Sequence, residues 1–137
     1  MPATIEIIDE DYPLDQDFFL AKLQPISEKL NLNGGITIKL GGEEESQALN
    51  ATYRKKDSPT DVLSFPFNED LPDGFYLGDI FICYPVAEKQ AEENNIPLQQ
   101  ELLTLMLHGL LHLSGQDHET DTGQMEAQQE ELSKEFF

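Results

Sequence analysis

The segment Leu102 to Leu113 is the most apolar stretch of the chain, and it carries two histidines, His108 and His112, four residues apart. Pro97, whose fixed φ suits a first helical turn, precedes it, and Gly115 follows as a stop. This pattern predicts one helix opened by Pro97 and running to about Ser114, with Leu102, Leu103, Leu105, Met106, Leu110 and Leu111 in the core. Any fold for this chain has to bury that helix. At 137 residues the chain supplies one compact domain, expected to take in residues 1 to 137. The apolar stretch falls far short of the roughly 20 residues that span a bilayer.

Around the helix the periodicity alternates between strand and helix. Thr4 to Ile7 and Ile36 to Leu40 alternate in the manner of half-buried strands. Between them Phe18, Phe19, Leu23, Ile26 and Leu30 recur at helical spacing behind Asp15, a candidate N-cap, with Pro25 as an expected kink. Glu43 to Tyr53 predicts a short helix whose glutamates suit its N-terminus. Asp61 to Phe65 and Tyr76 to Tyr84 are β-rich, and the polar Asn68 to Gly74 between them predicts a long hairpin connection. Pro85 opens a helix from Val86 to Asn94, and Met125, Leu132 and Phe136 mark a docked C-terminal helix. The expected class is α/β (α+β), with about four strands packed with about five helices.

All three histidines fall within eleven residues, His108 to His118, in the spacing H-x3-H-x5-H. Residues four apart on a helix share a face, so His108 and His112 converge. Gly115 can adopt a left-handed conformation that returns the chain, bringing His118 to the same point. Three neutral imidazoles with one position left open suit a catalytic Zn²⁺, and Ni²⁺, Co²⁺ or Cu²⁺ fit the same donors in vitro. Hydrogen-bonded core histidines beside an exposed His118 would be the plainer reading, but the helical pair, the turn glycine and the third histidine coincide. The metzincin pattern H-E-x-x-H-x-x-G-x-x-H shares these histidines and the glycine, yet Gly109 stands where its glutamate base belongs. Peptide hydrolysis is therefore the alternative rather than the first expectation.

Charge narrows the partners. Eight Lys and Arg face 27 Asp and Glu, a net of -19, which excludes a general nucleic-acid coat or a membrane-surface protein. The one basic cluster is Arg54-Lys55-Lys56, where an arginine can grip a phosphate bidentately. Cys83 is the single cysteine, which excludes an internal disulfide; it is read as a small buried hydrophobe rather than a ligand. The acidic Met1 to Glu10 is not built like a secretory signal, so a cytoplasmic setting is expected.

The run His108-Gly109-Leu110-Leu111-His112-Leu113-Ser114-Gly115-Gln116-Asp117-His118 resembles the H-G-x-L-H-L-x-G-Y-D-H signature of the YbeY family, with Gln116 in place of the usual tyrosine. Tyr53-Arg54, Pro59 to Pro66 and Leu77 to Ile80 extend the resemblance in family order. It implies a metal-dependent, single-strand-specific endoribonuclease in 3′-end processing of small-subunit rRNA and in ribosome quality control. It also implies a zincin-like metal helix beside a mixed sheet, and RNA, a small-subunit ribosomal protein and an assembly GTPase as partners, with no DNA. In that setting His108, His112 and His118 would hold the zinc, which acidifies water to a pKa of about 7, and Arg54 would stabilise phosphoryl charge. Asp117, Glu119 and Asp79 are the carboxylates available as a general base. A non-catalytic assembly module stabilised by metal is the remaining alternative.

Overall fold

The computed structural model describes residues 3–115 and 124–137, and Asp117, His118 and Glu119 lie outside them. In chain order the elements are β1 (Ala3–Ile8), α1 (Gln16–Lys29), β2 (Gly34–Gly41), α2 (Glu43–Arg54), β3 (Val62–Leu71), β4 (Gly74–Cys83), α3 (Tyr84–Glu93), α4 (Leu98–Leu113) and α5 (Gln124–Phe136). The strands form one sheet in the order β1-β2-β4-β3. β1 pairs parallel with β2 and β2 with β4, while β3 joins β4 antiparallel at the edge. These are the four strands and five helices that the periodicity predicts, paired in the mixed sheet that the resemblance implies. No helix among the described residues is long and apolar enough to cross a membrane.

Strand pairing sets which residues become core. Ile5 lies opposite Ile36, Ile7 opposite Ile38, Ile38 opposite Ile80, Leu40 opposite Ile82, and Ile82 opposite Val62. Paired residues share a face, so these side chains make one continuous apolar surface, and all are buried. Phe19, Leu23 and Ile26 of α1 and Leu102, Met106, Leu107 and Leu110 of α4 cover it. Each such side chain taken from water contributes about 1.5–3 kcal/mol before entropy is subtracted. The opposite face carries only a small cluster of Leu63, Phe81 and Cys83, backed by Leu49 of α2 and Val86 of α3.

α4 approaches the sheet closely because of Gly109. A Cβ at that position would stand 2.7 Å from Ile80 Cγ2. The residue that removes the metzincin glutamate thus faces the sheet, where a larger side chain has no room. Gly115, at φ 100°, follows the helix end as expected, with its N–H donating to His112 O at 3.1 Å. At the start of α1, Asp15 accepts from the Phe18 N–H as an N-cap.

The link between β3 and β4 is shorter than expected. Asn68 to Gly74 is not a long connection: β3 continues to Leu71 and β4 begins at Gly74, so Pro72 and Asp73 alone link them. The register shifts between Pro66 and Glu69, and Asn68 at φ 52° takes up the extra residue as a bulge. Pro66 is tolerated because β3 is an edge strand. The two prolines at helix starts also sit slightly differently from expectation: α3 begins at Tyr84, and Pro97 is the N-cap of α4 rather than a first-turn residue.

Candidate functional site

α4 presents His108 and His112 at the margin of the core, both half-buried, on the side where β3 forms the sheet edge. Their rings stand 4.7 Å apart and their Nε2 atoms 3.1 Å apart. His108 Nδ1 lies 3.2 Å from Gln129 Oε1 on α5. An amide oxygen only accepts, so this contact suits the tautomer of His108 protonated at Nδ1, with Nε2 on the side of His112. Two nitrogens held by one zinc at about 2.0–2.1 Å stand about 3.3 Å apart in a tetrahedral site. The two imidazoles therefore fit a shared metal, and Gln129 occupies the place of the outer partner that orients a ligating histidine.

Facing the histidines is a cavity of about 400 Å³ lined by Tyr53, Arg54, Thr60, Asp61, Val62, Leu63, Ser64 and Phe65. Arg54 is the last residue of α2, and Lys55, left-handed at φ 58°, ends the helix there. Two buried polar residues of α2 then hold the following loop. Ser46 Oγ donates to Thr60 O at 2.8 Å and accepts from Thr60 N–H at 2.9 Å, and Asn50 Nδ2 donates to Ser58 O at 2.8 Å. Arg54 and Asp61 are thereby fixed at either end of one anchored loop. Asp61 itself accepts from the Val62 N–H at 2.8 Å. Arg54, Lys55 and Lys56 are exposed and form no ion pair among the described residues, whereas Lys29, Lys39 and Lys134 each pair with a glutamate. The sequence's only basic cluster is thus uncommitted beside the histidines.

Sequence-predicted residues separate as follows. His108, His112 and Arg54 come together around this cavity. His118, Asp117 and Glu119 fall outside the described residues. Asp79 is not brought to the histidines: its side chain shares the sheet face of Phe65 and Thr37, opposite α4, in a second, more apolar cavity of about 500 Å³. There the Tyr76 hydroxyl donates to Asp79 and hydrogen-bonds Thr37 at 2.7 Å. Burial first, and the Asp79 carboxylate second, push the Tyr76 phenol above its ordinary value. Cys83 is wholly buried, and burial raises its thiol pKa, which suits a packing residue.

Sequence reasoning missed several residues that shape the site. Gln129 lies 21 positions beyond its histidine, out of reach of any local spacing rule. Ser46 and Asn50 read as ordinary polar helix residues. Glu101, two turns before His108 on α4, is buried, and burial followed by the charge of Asp61 raises its carboxyl pKa. A lone glutamate at an apolar helical position was the available signal.

Fold and site together define the class: a small α/β domain with a histidine-and-arginine cleft at the edge of a mixed sheet. The sequence profile of the family described as Endoribonuclease YbeY matches residues 9–136, and the chain belongs to that family. It is 45% identical over 128 residues to the Endoribonuclease YbeY of Nautilia profundicola, covering 93% of this chain and 90% of that protein. With the Endoribonuclease YbeY of Burkholderia ambifaria it shares 47% identity over 95 residues, 67% of this chain and 54% of that one. The solution structure of TM1509 from Thermotoga maritima matches with a TM-score of 0.66 at 33% identity, covering 97% of this chain and 89% of that chain. The protease alternative is disfavoured by the family and by Gly109, which is packed on Ile80.

Proposed function

We propose that this chain is a zinc-dependent, single-strand-specific endoribonuclease acting in 3′-end maturation of 16S rRNA and in ribosome quality control. The observation that carries the reading is one cavity in which two converging imidazoles face an uncommitted arginine. Membership in a family whose relatives bear the name Endoribonuclease supports it.

His108, His112 and, by the family signature, His118 would hold the ion. When bound, zinc supplies Lewis-acid polarisation and acidifies water. Gln129 Oε1 beside Nδ1 orients the His108 ring so that Nε2, the proposed ligating atom, points toward His112 Nε2. Arg54 binds the phosphoryl oxygens through its planar fork and stabilises the charge that develops on them. Asp117 and Glu119 remain the carboxylates proposed to move the proton, while Asp79 is left out because it lies on the other face of the sheet. A cytoplasmic setting, a small-subunit ribosomal protein and an assembly GTPase belong to the same reading.

The test is cleavage of a fluorophore-quencher single-stranded RNA by zinc-reconstituted protein, beside His112→Ala and Arg54→Ala proteins purified identically. Cleavage is expected in the parent and lost by at least about 100-fold in both variants. Equal cleavage by all three proteins would assign the activity to a contaminant and overturn the reading.

A further inference from the structure

A chain with a net charge of -19 has to hold a polyanion without help from long-range attraction. Among the described residues Arg54 is the basic side chain that lines the cleft, with Lys55 and Lys56 following it in the chain, so basic contacts to phosphate there are few. Contacts that carry no charge then add to what the arginine and the metal of the proposed site supply.

Tyr53 is positioned to supply one. It is 65% exposed, the most open of the large hydrophobic residues among those described, and it directly precedes Arg54 in the wall of the histidine cavity. Its ring is braced edge-on against Phe65, with centroids 5.0 Å apart and planes at 66°. Tyr53, Ser64 and Phe65 line both this cavity and the apolar one on the opposite sheet face, so the two spaces meet at these residues. Phe67, 47% exposed, continues the aromatic surface into the second cavity. Ser64 Oγ, buried at the junction, has no hydrogen-bond partner among the described residues. A buried hydroxyl left without a partner favours any polar ligand atom that reaches it.

We propose that Tyr53 is a stacking platform for the unpaired nucleobase next to the phosphodiester gripped by Arg54, with Ser64 hydrogen-bonding the same nucleotide. This inference rests on the endoribonuclease reading and adds the element that selects single strands. A base in a duplex has both faces covered by its neighbours; an unpaired base offers one to Tyr53. Stacking is also insensitive to salt, which suits an acidic protein.

The experiment measures KM and kcat on a short single-stranded RNA for the parent and for Tyr53→Leu, Tyr53→Phe and Tyr53→Trp. It also measures binding of the same RNA to His112→Ala protein with and without Tyr53→Leu. Losing one stacked base should raise KM by about 5- to 150-fold for Tyr53→Leu with kcat kept within a few-fold, and the aromatic variants should hold KM near the parent value. Binding to His112→Ala should weaken by the same factor when Tyr53→Leu is added. A parent KM in Tyr53→Leu, or a Tyr53→Phe as impaired as Tyr53→Leu, would overturn the stacking role and leave the nuclease reading standing. A parent that binds RNA through Tyr53 without cleaving it would do the reverse.

Discussion

The His108 ring is oriented by a residue from another helix. Gln129 Oε1, 3.2 Å from His108 Nδ1, can only accept, which favours the tautomer that ligates through Nε2. Gln129→Met keeps most of the volume and removes the acceptor. It should weaken zinc binding by about 10- to 100-fold while the metal-free melting temperature stays near the parent value, and Gln129→Glu should retain affinity. Competition with a calibrated chelator reads this directly, and an unchanged affinity in Gln129→Met would mean that the bond only packs α5. Glu101 gives a second residue-level prediction, this time in pH. Burial raises its pKa, so the folded state holds its proton more tightly than the unfolded chain, whose carboxyl titrates near 4.5. Stability from this group is present below that value and is lost as pH rises through the raised folded pKa. Glu101→Gln should therefore raise the melting temperature at pH 7, and the gain should vanish below about pH 4. A gain of equal size at both pH values would contradict it. The imidazole pair was legible because four residues make one helical turn; Gln129 was not, because only tertiary packing brings α5 to it.

Between elements, the contact that decides most is α4 on β4. A Cβ on Gly109 would meet three Ile80 side-chain carbons at 2.7, 2.8 and 2.9 Å. Gly109→Ala should destabilise by about 1–3 kcal/mol through overpacking, offset by about 1 kcal/mol of helix propensity. In an Ile80→Ala background the added methyl fills space instead, so urea denaturation should find the double variant more stable than the sum of the singles by at least about 0.5 kcal/mol. Strict additivity would mean that the helix shifts away rather than packing tightly. Element positions were largely legible, since each strand alternates and α4 is an apolar run with a proline before it and a glycine after. The β3–β4 hairpin was misjudged at its tip because Asn68 to Leu71 is exposed edge strand and has no buried face to impose alternation.

At the scale of the whole molecule, the parallel placement of β4 beside β2 decides what the site contains, and no local pattern announces it. Pairing with Thr37 on one side and Phe65 on the other turns Asp79 away from α4. The sequence therefore offered Asp79 as a carboxylate near the metal helix, and only the sheet order removes it. Arg54 was legible as the first residue of the sole basic cluster, but its position opposite the histidines depends on Ser46 and Asn50 anchoring the loop that follows. The acidity is also a property of the whole: it leaves few basic side chains for a polyanion, and the one basic cluster of the sequence begins at the cleft with Arg54.

RNA cleavage is proposed to depend on a metal held by the α4 histidines. The most direct test of this dependence is to strip the protein with chelator, return zinc in measured steps, and follow single-stranded RNA cleavage at each step. Cleavage should be absent at the start, rise in proportion to added zinc and break at about one equivalent per chain, with His112→Ala flat throughout. Metal-free protein that cleaves as fast as refilled protein would contradict the account.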